Sequence, residues 1–398
     1  MYSLSRPIAE LYCLTGYSID ADLSNALSCL SGIHVPEQLR EMQKKRVEAA
    51  FKGEKADQIP VGADIRWWIV EQYHDGTLEQ KLESCDPDKI FMYFPQPRTP
   101  YMIEPISEID TEVFWSGASV VYRNGGYPGT KRTMKIDTPR GTLTASEAYA
   151  SRSFGIVEYP VKNIDDLDIV RYIYEKRASA PFDEAAPASF VAPMTPIQIL
   201  LVHLAGVETT ALLLADHQDE IEDFMEFLDD IHKPVTEYLA KNGNSIFSVE
   251  NLSADISAGY FDKYLGPQLM KRKVTADKYG VNLGVHHDGK LQPLFGRLKE
   301  VGVNYANGIT AAPSGDVELE NIREAAGDDM ILVDIIPQCI FTESFDIDYF
   351  RDYIKRAANV FKDDNKVILG IGDMLPCNAD IKRFEIMTDI IAEESLSL

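Results

Sequence analysis

"VNLGVHHDGKLQPLFGRLKEVGVNYANGI", Val281 to Ile309, holds one complete strand–helix–strand unit. The apolar run 281–286 reads as a strand, 290–300 as a helix, and 303–309 as a second strand. Strands this apolar are buried on both faces, and a helix between two of them implies that they run parallel. Working outward, the pattern repeats. "FVAPM" leads into a helical stretch at 196–241, and "SIFSVE" (245–250) into a helix at 260–279. After the helix at 317–326, "MILVDII" (330–336) precedes a helix at 346–361, and "KVILGIGD" (366–373) one at 378–393. Upstream, "IPVGADI" (59–65) and "KIFMYFP" (89–95) bring the strands to eight. The expected fold is α/β: a closed (β/α)8 TIM-type barrel over 59–398, rather than an open doubly wound sheet. Neither GxGxxG nor GxxxxGK[ST] follows a strand, which weakens a nucleotide-binding reading.

Two segments depart from the repeat. Residues 1–58 read as a helical N-terminal extension ending near Gly53. Residues 110–147 carry Asn124-Gly125-Gly126 and Pro139-Arg140-Gly141 between β-branched and aromatic runs, the pattern of an inserted β-hairpin or meander. That insertion is a lid, a dimer arm or a docking surface, and the oligomeric state, a homodimer included, stays open. An acidic helix at 161–177 and an Ala- and Pro-rich linker at 178–189 follow it.

With 63 acidic against 39 basic residues, the chain carries a net charge of −24. It has no basic excess to meet nucleic-acid phosphates. Its five cysteines are widely spaced with no CxxC, so neither a disulfide framework nor a thiolate zinc site is indicated. No run approaches the roughly 18 apolar residues of a membrane span. The expected setting is the reducing cytoplasm.

In a barrel of this kind the chemistry sits at the C-terminal ends of the strands. Those ends carry Glu250 and Asn251; His286, His287 and Asp288; Tyr305 and Asn307; Asp334 and Gln338; and Asp373. Residues two apart on a strand face the same way, so His286 and Asp288 form a pair that Glu250 and Asp373 would join from other strands. Histidine and carboxylate together suit zinc or another divalent ion, and Glu250, His286, Asp288 and Asp373 are the candidate ligands. His287 points the other way and reads as structural, as does His203 on an apolar helix. His34, His74, His217 and His232 fall in polar surroundings expected to be exposed.

Several stretches carry a resemblance: "RVEAAFKGEKADQIPV", "IDTPRGTLTA", "YPVKNIDDLDIVRYI", "LGVHHDGKLQPLFGRLKEVGVN" and "ILGIGDMLPCNADIKRFEIM". Through them the chain resembles the uroporphyrinogen decarboxylase superfamily, and within it the corrinoid-dependent methyltransferases, from about Lys45 to Ile391. The resemblance implies a (β/α)8 barrel with its active site at the mouth. Members that methylate thiols carry His-x-Cys after this strand and a second Cys near the last one, and these hold zinc. Here the His matches His286, the first Cys position holds Asp288, and the second falls at or near Asp373, which argues against a thiol acceptor. Relatives that cleave aryl methyl ethers use a Glu and His set to which Glu250 and His286 are similar. The porphyrinogen decarboxylases have an Arg-rich stretch after the first strand, where "PVGADIRWWIVEQYHDG" holds only Arg66. A macrocycle with many carboxylates needs several cations to pair them.

The expected function is therefore transfer of a methyl group from a small methoxylated, aromatic donor to a corrinoid on a partner protein. The chain lacks the DxHxxG signature of a corrinoid carrier. Glu250, His286 and Asp288 are the candidate catalytic residues. Either zinc polarises the ether oxygen, or a protonated Asp288 or Glu250 donates to it. Arg66, Trp67, Trp68, Tyr93, Trp115, Asn251, Tyr305 and Asp334 are candidates for holding the substrate. The rival readings are a decarboxylase-like lyase acting on a carboxylated substrate, a methylcobalamin:acceptor methyltransferase, and a non-catalytic binding protein.

Overall fold

The computed structural model describes residues 37–86, 108–116, 130–150, 153–179 and 191–396. A helix, Glu37–Lys52, precedes the short strand β1 (Val61–Gly62) and the helices Arg66–Asp75 and Leu78–Glu83. Four strands follow: β2 (Asp110–Ser116), β3 (Lys131–Thr138), β4 (Gly141–Ala150) and β5 (Ser153–Glu158). After them helices alternate with β6 (Ile246–Leu252), β7 (Leu283–His287), β8 (Tyr305–Asn307), β9 (Ile331–Val333) and β10 (Val367–Gly370).

β2 to β5 form an antiparallel sheet in sequential order, β3 and β4 joined through Pro139 and Arg140. The sheet extends to Glu158, beyond the 110–147 expected from sequence. The other six strands lie in the order β1-β10-β9-β8-β7-β6, a mixed α/β architecture whose parallel sheet is not closed among the described residues. The strand expected at 89–95 falls outside those residues. The one expected at "FVAPM" is reduced to a single parallel bridge between Ala192 and Ser248. Every residue of β7, β8, β9 and β10 is buried. That burial on both faces is why their sequences are continuous apolar runs rather than alternating ones.

Two compact units divide the chain. One is built from described residues in 108–250 and 260–281 and contains the antiparallel sheet. The other is built from 37–86, 251–259 and 282–396 and contains β1 and β7 to β10.

Within the first unit, the single helical stretch expected at 196–241 is broken. It becomes Pro196–Ile199, a π-helical turn at Leu200–Leu204, Gly206–Asp216 and Gln218–Lys241. The break falls at Gly206, whose φ is +73°, and a Cβ there would come within 2.5 Å of the Tyr159 ring. Only glycine tolerates both conditions. His203 is buried in the π turn, as expected of a core histidine. His232, expected on the surface, is buried instead, edge-on to Tyr174 at 5.7 Å. It lies on the face of its helix that also carries Phe224, Met225, Leu228 and Val235.

Candidate functional site

The parallel register places side chains from three successive strands beside one another. His286 of β7 stands opposite Asn307 of β8, and Asn307 opposite Val333 of β9. His286 and Asn307 therefore face the same way, and His286 Nδ1 lies 2.8 Å from Asn307 Oδ1. Asp334 comes one residue after Val333 and in a regular strand would point to the opposite face. It adopts φ +61° instead, which breaks the alternation, and its Oδ2 accepts a 2.6 Å hydrogen bond from Asn307 Nδ2. On the far side, His286 Nε2 lies 3.6 Å from Asp373 Oδ1. The result is a chain of polar groups, Asp334–Asn307–His286–Asp373, across the C-terminal ends of β7 to β10.

Glycines make room for it. A Cβ on Gly370 would lie 1.9 Å from Asp334 Oδ1, and one on Gly308 would lie 2.5 Å from His286 Cε1. Gly284 is overlaid by the Tyr305 ring, which meets Phe51 edge-on at 5.1 Å. Tyr305 thus fills the layer beneath Asn307, two residues earlier on the same strand face.

Asp334 is buried, and its Oδ1 has no hydrogen-bond partner among the described residues. Burial pushes its carboxyl well above the usual carboxylate range. The Asn307 hydrogen bond pulls the other way, and the charges of Asp64 and Asp373 push it up further. Asp373 keeps a quarter-exposed side chain, at 23%, so the Asp373 end of the chain meets solvent and the Asp334 end does not. His287 faces away into the core, edge-on to Phe295 at 5.1 Å, and burial lowers its pKa to about 3.

The sequence-expected site residues separate into groups. His286, Asp334 and Asp373 come together. Asp288 is exposed, and among the described residues its backbone N–H is engaged, to Leu252 O, while its side chain is not. Asn251 is partly exposed at the end of β6 with φ +49°. Trp68 is a core residue whose indole N–H donates to Ala379 O at 3.1 Å, so it offers no ring to a substrate. Tyr93 and the side chains of Arg66, Trp67 and Trp115 lie outside the described residues.

Glu250 belongs to the other unit, where it is fully buried. Oε1 accepts from Thr195 N, Ser248 Oγ and Arg272 Nη1, and Oε2 from Thr195 N and Oγ1. Both oxygens are thereby spent on holding residues 194–195 and the helix Gly266–Tyr279 to β6. That set is structural in character.

Two residues that bear on the polar chain had no role assigned from sequence, Asn307 within it and Asp64, whose charge acts on Asp334. Asn307 was visible only as a strand-end amide. Asp64 lies in "IPVGADI", where the strand-end rule applied to β7 and β10 would have marked it.

Among the described residues, no group of three His, Cys, Asp or Glu side chains is arranged to hold a metal ion. His286 Nε2 and Asp373 supply two donors, and Glu250 and Asp288 are turned to other tasks. The four ligands expected for zinc therefore do not converge as a set. Cys85 and Cys377 are buried, and burial raises the Cys85 thiol to about 11, far from a ready metal ligand. Among the described residues, no helix is long and apolar enough to cross a membrane.

These features define an α/β protein with a histidine–carboxylate site on the ends of its parallel strands. No protein-family model matches the chain, and no curated protein matches it. Among solved structures it is similar to a methyltransferase from Methanosarcina mazei, with a TM-score of 0.48 and 12% identity, over 88% of this chain and 98% of that one. A likeness at that identity and score does not bear on activity.

Proposed function

We propose that the protein is a methyltransferase that moves a methyl group from a small methoxylated donor, an aryl methyl ether, to a corrinoid carried by a partner protein. The architecture this reading expects is a (β/α)8 barrel. The observation that carries the chemistry is the chain Asp334–Asn307–His286 ending beside Asp373 at the strand ends. The sequence resemblance supplies the reaction class.

Displacement at an ether methyl leaves the oxygen with the electron pair of the broken C–O bond. The corrinoid cobalt provides the pair for the new bond to carbon, and the departing phenolate takes up a proton. His286 Nε2 and Asp373 stand 3.6 Å apart at the accessible end of the chain and are the groups that would supply that proton, a role worth about 10²–10⁴-fold in rate. No step is routed through zinc, since the expected ligands do not meet. Should zinc bind, His286 Nε2 and Asp373 are the donors it would find.

The test is to mix the purified protein, a Co(I) corrinoid and 2-methoxyphenol, and to follow loss of the Co(I) absorption and appearance of catechol. The reading expects catechol from wild type and a loss of at least about 100-fold in His286→Ala. No transfer from any member of a panel of methoxylated phenols, with corrinoid and partner protein supplied, would overturn it. Elemental analysis of both proteins settles whether a metal accompanies His286.

A further inference from the structure

We propose that Asn307 and Asp334 are positioning residues that lock His286 in the Nδ1–H tautomer, so that Nε2 is the atom through which this histidine meets its substrate. The inference rests on the reading of the strand ends as an active site, and it assigns the protons there.

A carboxyl oxygen that carries no hydrogen only accepts hydrogen bonds, and Asp334 Oδ2 is such an oxygen whether the carboxyl is ionised or holds its proton on the unpartnered Oδ1, whereas a primary amide has one accepting and one donating end. Asp334 Oδ2 takes the donating end of Asn307 at 2.6 Å. The accepting end, Oδ1, is left facing His286 Nδ1 at 2.8 Å. A bare Nδ1 there would set two lone pairs against each other, so Nδ1 carries the hydrogen. When the ring is neutral, the lone pair is on Nε2, which faces Asp373 at 3.6 Å.

Every part of this relay is constrained. The parallel register fixes His286 opposite Asn307. Gly308 lets the backbone lie against the imidazole, where a Cβ would be 2.7 Å from Nδ1. Gly370 gives Asp334 its place, and φ +61° turns that carboxyl back onto Asn307.

Asp334 is otherwise hard to account for. It is a buried acid in an unfavourable backbone conformation, with one oxygen lacking a partner among the described residues. A core built for stability alone would place an apolar residue there. Orienting Asn307 gives it a purpose. In histidine metal ligands and catalytic bases alike, the hydrogen bond to one ring nitrogen sets which state the other presents.

The experiment is long-range ¹H–¹⁵N correlation spectroscopy on the full chain labelled with ¹⁵N-histidine, at a pH where the His286 ring is neutral. The His286 signal is assigned by its disappearance in His286→Gln. Wild type is expected to show protonated Nδ1 and bare Nε2. Asn307→Asp keeps an acceptor for Nδ1–H and retains the tautomer. Asn307→Leu removes it, and the ring returns to the mixture of free imidazole. Asp334→Asn lets both amides turn over and likewise gives a mixture. The remaining histidine signals report whether each variant is folded.

In the methyl-transfer assay Asn307→Leu lowers kcat roughly 10–100-fold, the usual cost of losing a ligand's outer partner. KM changes little, and Asn307→Asp recovers part of the rate. A wild-type ring protonated at Nε2 overturns the inference, as does an Asn307→Leu ring that stays protonated at Nδ1. Absence of methyl transfer with the tautomers as expected would sink the proposed reaction while leaving the positioning of His286 in place.

Discussion

Replacing Glu250 with glutamine separates a structural carboxylate from a catalytic one. The side chain is fully buried and accepts from Thr195 N, Thr195 Oγ1, Ser248 Oγ and Arg272 Nη1 at 2.6–3.1 Å. Arg272 is itself buried at 6% and donates its other Nη to Met194 O. Glutamine preserves the shape, removes the charge, and points an NH2 at donors. It leaves the Arg272 guanidinium without its counter-ion. Breaking a buried pair in this way costs about 3–5 kcal/mol. In a cooperative unit of roughly 150–250 residues each kcal/mol moves the midpoint by about 2–4 °C, so a fall of about 6–20 °C is expected. Thermal unfolding followed by circular dichroism measures it. Arg272→Met alone should cost a similar amount, and Glu250→Gln with Arg272→Met much less than the sum, because the stranded charge is then gone. The reasoning fails if Glu250→Gln melts within about 2 °C of wild type. Should it also lose methyl transfer while remaining that stable, Glu250 would be the site carboxylate that the sequence suggests.

Gly370→Ala would bring a Cβ to 1.9 Å from Asp334 Oδ1 and 2.6 Å from Gly62 O, so it should destabilise by about 1–3 kcal/mol in urea titration and disturb the His286 tautomer. Asp334→Asn should stabilise: the folded carboxyl sits well above 3.8, so the unfolded chain releases a proton that the folded one keeps. Stability is thus lost as pH rises from about 4 toward the folded value, and the variant's advantage in unfolding midpoint should grow from pH 4 to 7. His232 and His287 act in the opposite direction. Both are lowered to about 3 by burial, so from about pH 6.5 downward the unfolded chain gains protons that the folded chain refuses. Each removes about 1.4 kcal/mol per pH unit in that window, and His287→Phe should reduce the acid slope of the urea midpoint by one such share.

The parallel strands were legible because burial on both faces writes a continuous apolar run, as in "ILVD" of β9 and "VILG" of β10. Asp373 was legible as one of several strand-end acids near His286, whereas the pair that strand alternation suggests, His286 with Asp288, does not form, since Asp288 is exposed. The misses came where tertiary contacts override local pattern. The break falls at Gly206, where positive φ and the Tyr159 ring both demand glycine, and no helical period records that contact. His232 is flanked by Asp230 and Lys233 and reads as exposed, but its own position falls on the buried stripe of its helix. Glu250 looked catalytic because it is an acid at a strand end. Arg272, which claims it, lies 22 residues away and carries no local signal. Asn307 was noted at a strand end but given no role because an amide neither titrates nor suggests a metal, although its two unlike ends make it the piece that orders its neighbours.

Asn251, Asp334 and Asp373 are the non-glycine residues that adopt positive φ among those described, at +49°, +61° and +65°. Such conformations cost about 1–3 kcal/mol each outside glycine, and the surrounding structure must enforce them. All three fall at strand ends: Asn251 one residue before the end of β6, Asp334 directly after β9, and Asp373 three residues after β10. Two of them bracket His286 in the polar chain. A sheet selected only for stability would end its strands with glycine at these points, as it does at Gly308 after β8. Instead it ends two of them with acids, Asp373 beside His286 and Asp334 turned onto the Asn307 that holds it. Strain, a buried carboxyl and close-packed glycines coincide at one place, and each is unfavourable by itself. Their coincidence is what a site optimised for chemistry at the expense of stability looks like. The gain in stability expected from Asp334→Asn is therefore the mirror image of the activity it should lose.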